Sequence, residues 1–280
     1  MTQPSPRDVL ASGVRVRTAD LGAGPAVVCV HGAFVDRTTW SEVAAELTDR
    51  FRVVIPDLPG FGESEKPPIS RFAYDVDAFS EAIADLLAGL GIARAALVGH
   101  GLGGAIALAV ATRHAELVSS LVLVDAWCYP TTTPFEQRLA RAPFLGGLVV
   151  KQLAGRGAFR SFFRRRLLHE PSVVTSARID AFYDAFNTPA ARSSALATLR
   201  ATADTRAVFA LTGRVSCPTL VIWGRHDPWL PAAVGQRISR EIRGAGFELL
   251  DAGHMPQEER PRELARALGR FLSGERPPKH

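Results

Sequence analysis

The sequence predicts an α/β protein: a mostly parallel, doubly wound sheet interrupted by a helical insertion. Three observations carry this. Short continuous apolar runs such as Ala26–Val30 and Ser120–Asp125 alternate with stretches whose apolar residues recur every three or four positions. One run, Ala95–Val98, turns through Gly99-His100-Gly101-Leu102-Gly103 straight into an Ala/Leu/Ile/Val helical pattern that reaches about Arg113. Between about Pro130 and Thr212 the alternation stops and only helical spacing remains. Runs that are apolar at every position suit strands buried on both faces, the environment of a parallel sheet with helices on each side.

In chain order, an edge strand is expected at Gly13–Thr18, after a polar, proline-containing start (MTQPSPRDVL) with no apolar targeting segment. Ala26–Val30 is a buried strand, followed by an amphipathic helix over roughly Thr39–Thr48 and a strand at Phe51–Ile55. A helix from about Tyr74 to Leu90 places Val76, Phe79, Ile83, Leu86 and Leu87 on one side. After the glycine turn and the strand Ser120–Asp125, the insertion carries Phe159, Phe162, Phe163 and Leu167, then Ile179, Phe182, Tyr183 and Phe186, at helical spacing. Pro134, Pro143, Pro171 and Pro189 punctuate it. The sheet resumes with Pro218–Trp223, a helix near Ala232–Ile242, the strand Gly246–Leu250 and a last helix over Pro261–Leu272.

With 280 residues at 47% hydrophobic content, the chain can bury one large core, or a core plus a subdomain. No apolar run approaches the roughly 18 residues of a membrane span, so no membrane partner is expected. Three cysteines, odd in number and unpatterned, indicate neither a disulfide framework nor a zinc site. Cys29 and Cys217 read as core residues, and a cytoplasmic location is expected.

The glycine turn carries the chemistry. Strand, tight turn and helix form the setting of a nucleophile elbow, whose strained central residue lifts its side chain above the sheet. Here the pattern is G-H-G-L-G, and the nucleophile's position is Gly101. The competing reading of G-x-G-x-G-G is a phosphate-binding dinucleotide turn, and Asp125, 24 residues after Gly101, falls near the spacing of its acid. The other motifs of the chain oppose that reading.

Those motifs are His31-Gly32-Ala33-Phe34, Asp57-Leu-Pro-Gly-Phe-Gly-Glu-Ser64, the glycine turn, Trp223-Gly-Arg-His-Asp227 and Asp251-Ala-Gly-His254, in that order and at strand ends. With them the chain resembles the α/β-hydrolase superfamily over nearly its whole length. The resemblance implies an α/β-hydrolase fold with a helical cap inserted after the sixth core strand: a core of residues 1–129 and 213–280 and a cap of 130–212. It implies that Asp227 is the triad acid, fixing the tautomer of His254, the general base. Backbone N–H groups of Ala33 and Leu102 would form the oxyanion hole. Asp125 also ends a strand and is the secondary candidate for the acid. Phe34, Trp127 and Tyr129 are expected to wall an apolar pocket, with His100 beside the nucleophile position. His31 and His100 read as structural members of their turns. His114, His169 and His226 read as surface or supporting residues without metal-ligand spacing; neither metal nor cofactor is expected. Cys128, at the cap entrance, is the weakest candidate, as a substitute nucleophile.

Glycine at position 101 leaves three readings open. The chain is an engineered or mutated form of an enzyme whose nucleophile was Ser or Asp (an esterase in the first case, a dehalogenase or epoxide hydrolase in the second). Alternatively, glycine is native and a His254–Asp227 dyad activates water or drives lyase or cyclase chemistry. In the third reading the protein is an inactive binder of a small ligand. Between Pro130 and Thr212 there are 12 Lys/Arg against 5 Asp/Glu, a net of +7 in a chain of +5. This basic cap is either a solvated face or a means of steering an anionic partner: a carboxylate, a coenzyme A thioester or an acidic carrier protein. Nucleic acid is not expected, because Arg164-Arg165-Arg166 is only a short basic run and no nucleic-acid module is present.

Overall fold

In a computed structural model the described residues are 6–130 and 155–275. They form an eight-stranded sheet: β1 Arg7–Ala11, β2 Val14–Leu21, β3 Ala26–Val30, β4 Arg52–Pro56, β5 Ala95–His100, β6 Val118–Val124, β7 Thr219–Gly224 and β8 Gly246–Leu250, in the order β1-β2-β4-β3-β5-β6-β7-β8. β1 and β2 pair antiparallel, as do β2 and β4, and every other pair is parallel. This is the α/β-hydrolase fold. The central strands are buried throughout, as their unbroken apolar runs require: all six residues of β5 and all six of β7 are inaccessible.

Two cores lie on opposite faces of the sheet. On one, α2 (Val76–Gly89) and α3 (Leu102–Arg113) cover the centre; on the other, α1 (Ser41–Leu47) packs beside α8 (Pro261–Leu272). α2 starts where Asp75 accepts the Ala78 N–H at 2.7 Å, a side-chain cap on an otherwise orphaned donor. α7 (Ala232–Glu241) covers the β7–β8 end of the first face.

Cap helices α4 (Arg156–Arg166), α5 (Ser176–Phe186) and α6 (Pro189–Ala201) lie between β6 and β7. α5 and α6 are capped by Thr175 and Thr188, which accept from Arg178 and Ala191. Phe159, Phe163, Phe182 and Phe186 make a third core that also takes in Phe34 and Met255. The expected segment 131–154, with Pro134 and Pro143, lies outside the described residues.

Two expectations need correction at the N-terminal edge and at β6. The edge is a hairpin, with Arg7–Ala11 pairing onto β2. Its alternating exposure hides the strand in a segment that reads as polar in sequence. β6 ends at Val124, and Asp125 stands beyond it with φ +42°, a left-handed backbone uncommon for a residue with a β-carbon.

Candidate active site

Strand order reverses between β3 and β5: from that point the chain runs outward to β4 on one side and to β6, β7 and β8 on the other. In open α/β sheets such a switch point leaves a crevice beyond the strands' carboxyl ends. Ala33 lies just past β3, and Gly101 and Leu102 just past β5, so all three face one cavity. Phe34, His100, Trp127, Leu167, Trp229, Leu230, His254 and Met255 complete its lining. Its volume is about 30 Å³, enough for a water or two at the roughly 10–15 Å³ each requires.

The turn at Gly101 has the geometry of an elbow. Its φ and ψ are +52° and −116°, and its peptide is pinned by the Gly101 N–H on the Val124 carbonyl (3.0 Å) and the Trp127 N–H on the Gly101 carbonyl (2.8 Å). Glycine is dictated by close approach at the two flanking positions. A β-carbon on Gly99 would lie 2.2 Å from the Gly103 carbonyl oxygen, and one on Gly103 would lie 2.3 Å from the Val30 oxygen. At Gly101 a β-carbon meets nothing nearer than 3.7 Å. The space for a side chain is there, and only the positive φ favours glycine.

His254 comes from the loop after β8, its N–H donating to the Leu167 carbonyl at 2.8 Å. Its Nδ1 lies 2.7 Å from Asp227 Oδ2, which leaves Nε2 facing Gly101. Asp227 Oδ1 accepts the N–H groups of Trp229 (2.7 Å) and Leu230 (2.9 Å). Burial works against ionisation of Asp227, but His254 and these two donors outweigh it and hold the carboxyl below its usual range. The carboxylate thus holds the His254 Nδ1 proton and leaves Nε2 as the acceptor.

Asp125 does not reach the base. Its Oδ1 accepts the Gly224 N–H at 2.9 Å, and its carboxyl also faces that of Asp227, with which it can share a hydrogen bond only when protonated. Fully buried, and with the Asp227 charge close by, it is pushed well above the usual carboxylate range. Two like charges there are avoided by keeping one proton.

His100 Nε2 lies 2.7 Å from the His254 carbonyl oxygen and donates to it, while Nδ1 is buried without a partner. Burial, then His254, lower its pKa to about 3. It is a neutral ring bracing the base's loop, with its unpartnered Nδ1 turned toward the Gly32 backbone. His31 accepts the Leu58 N–H at Nε2 (2.9 Å) and therefore donates from Nδ1 to the Gly32 carbonyl (2.7 Å). Leu102 opens α3, and its N–H and that of Ala33 have no acceptor among the described residues. Both are available to a ligand oxygen in the cavity, with the positive end of the helix dipole behind Leu102.

One expectation, Tyr129 on the pocket wall, fails here. Tyr129 is half-buried away from the cavity, edge-on to Phe209 with ring centroids 4.8 Å apart. Cys128 is fully buried in the sheet core, and burial pushes its thiol to about 12, so it is no nucleophile. Trp229, Leu230, Leu167 and Met255 are lining residues that sequence reasoning missed. Trp229 and Leu230 follow Asp227 within three residues and Met255 follows His254, so proximity to the acid and base was the available signal. Nothing in the sequence marks Leu167, which the cap brings in.

Among the described residues, two groups of side chains have metal-ligand character: the buried Asp125, Asp227 and His254, and an exposed trio of His169, His226 and Asp251. In the first, His254 Nδ1 and Asp227 are committed to each other, which fits proton transfer. The second is assembled from three segments, so its ligands show no spacing in sequence.

The α/β hydrolase fold family profile matches residues 25–261, and the chain belongs to that family. Haloalkane dehalogenase 2 of Mycobacterium tuberculosis is 32% identical over 270 residues, spanning 91% of this chain and 90% of its own. The 2-hydroxymuconate semialdehyde hydrolase of Pseudomonas sp. strain CF600 is 32% identical over 291 residues, spanning 95% and 93%. Among solved structures, a thermophilic esterase from Thermogutta terrifontis superposes with a TM-score of 0.81 at 27% identity, covering 97% of this chain and 99% of that one.

Proposed function

We propose that this chain is a hydrolase in which the His254–Asp227 dyad activates a water held over Gly101. The water attacks the carbonyl carbon of a small, mostly apolar ester or related substrate. Its oxygen forms the new bond to carbon and its proton passes to His254 Nε2. The Leu102 and Ala33 N–H groups hold the oxyanion, and as the tetrahedral species collapses the leaving alkoxide takes the proton back from Nε2. Products are a carboxylic acid and an alcohol, with no bond to the protein at any stage. The observation that carries this reading is the 2.7 Å Asp227–His254 pair with Nε2 aimed at a space large enough for water. The names of the relatives, a dehalogenase, a hydrolase and an esterase, support hydrolysis of a small molecule as the reaction class.

One observation favours a second reading. The room left for a β-carbon at Gly101 suits an enzyme whose Ser or Asp nucleophile is missing from this chain. The test is turnover of a panel of short activated esters by the unaltered chain and by His254→Ala. Loss of turnover with retained product binding supports the dyad. Turnover unchanged by the substitution, or binding alone in both proteins, overturns it in favour of a binder.

A further inference from the structure

At the seam between cap and core, three exposed side chains meet from three segments. His169 follows α4, His226 immediately precedes the acid Asp227, and Asp251 lies three residues before the base His254. His226 Nε2 is 2.9 Å from Asp251 Oδ1. The His169 and His226 rings stack with centroids 3.9 Å apart and planes inclined by 17°. One donor atom from each residue lies within 4.8 Å of the other two.

We propose that His169, His226 and Asp251 form a binding site for a divalent transition-metal ion of the zinc type, which ties the cap to the two loops carrying the acid and the base. Two imidazole nitrogens with one carboxylate oxygen suit zinc, copper or nickel over magnesium or calcium, which take oxygen ligands. With zinc–ligand bonds of about 2.0–2.2 Å, the present nitrogen–oxygen separation subtends roughly 90° at the metal, so a small opening reaches tetrahedral geometry. The exposed His169 ring splays from its stack to complete three ligands, and water takes the fourth position. Any proton shared between His226 Nε2 and Asp251 leaves to solvent on binding.

The frame around the trio is already held. Glu259 accepts the His169 N–H (2.6 Å) and the Gly253 N–H (2.7 Å), one on each side of the seam. The His226 N–H donates to the Ala252 carbonyl at 3.0 Å. Gly253 passes so near the cap segment that a β-carbon there would lie 2.5 Å from the His169 nitrogen. A metal therefore meets ligands whose backbones need not move, which lowers the cost of binding.

The experiment is a calorimetric titration of zinc chloride into the full chain, with magnesium chloride as the control ion. One zinc site with Kd on the order of micromolar is expected, with no magnesium site. Each of His169→Ala, His226→Ala and Asp251→Asn should weaken it at least about tenfold, and zinc should raise the thermal midpoint of the unaltered chain only. All three side chains are exposed, so the variants keep the fold. Weakening by His226→Ala and Asp251→Asn but not by His169→Ala overturns the link between cap and core. Affinity unchanged in all three variants, or no zinc binding below about 1 mM, overturns the site. Zinc binding is read directly, so the outcome is independent of whether the chain hydrolyses esters.

Discussion

A β-carbon on Gly101 would stand 3.7 Å from His254 Nε2, at ordinary van der Waals distance and facing the base. Gly101→Ser should therefore place a hydroxyl beside a base and an oxyanion hole that are already arranged. Its φ of +52° costs on the order of 1–2 kcal/mol with a side chain present. Expected are faster hydrolysis of an activated ester and a burst of acyl-enzyme. A folded variant that neither turns over nor reacts with a phosphonylating probe would show that the Ala33 and Leu102 donors do not act as an oxyanion hole.

The flanking glycines should behave differently. Gly99→Ala drives a β-carbon to 2.2 Å from a backbone oxygen, whereas a β-carbon at Gly101 makes only ordinary van der Waals contacts, the nearest at 3.7 Å. Thermal unfolding should show Gly101→Ala lowered modestly, by the roughly 1–2 kcal/mol its positive φ costs, and Gly99→Ala severely destabilised or unfolded. Equal tolerance of both would mean that α3 does not pass β5 as closely as described.

Asp227→Asn keeps an oxygen to accept from Trp229 and Leu230, so the fold should survive. It favours the wrong tautomer of His254, and the rate should fall roughly 10⁴-fold. A variant retaining most of its turnover would remove Asp227 from the mechanism.

Asp125, with its pKa raised in the folded state, contributes stability that is complete below the unfolded value near 3.9 and is lost as pH rises toward the folded value. Asp125→Asn has no such loss. Urea unfolding of the two proteins should show the variant gaining on the parent as pH rises above about 4, by up to about 1.4 kcal/mol per pH unit. A stability difference that is flat with pH would mean that Asp125 is ionised in the fold.

Several basic cap residues are locally neutralised: Arg156 pairs with Asp184, Arg160 with Asp180 and Arg178 with Glu258. Arg165 projects from the last turn of α4. If the cap steers anionic substrates, kcat/KM for an anionic ester should fall with added salt and with Arg164→Gln/Arg165→Gln, while a neutral ester is unaffected. Identical salt dependence for both esters assigns the charge to a solvated face.

The central fold was legible because its strands are apolar at every position and its turns sit at their ends: β8 and α8 fall on the residues their patterns indicate. β1 was not, because three of its five residues face solvent and its strand character comes from pairing with β2. At the site, Asp227 and His254 stand in local motifs, and the fold brings them to 2.7 Å. Leu167 and the His169–His226–Asp251 trio depend on how the cap docks, which no local pattern encodes. Tyr129 misled because an aromatic residue near a strand end serves equally well to pack against the core, here on Phe209.

Pre-steady-state hydrolysis of an activated ester, followed by intact-protein mass spectrometry, tests most directly whether the His254–Asp227 dyad acts through water. The expected result is linear product release from the first turnover, no mass added to the protein, and loss of the reaction in His254→Ala. A stoichiometric burst with an acyl adduct on the chain, or hydrolysis that survives His254→Ala, would contradict it.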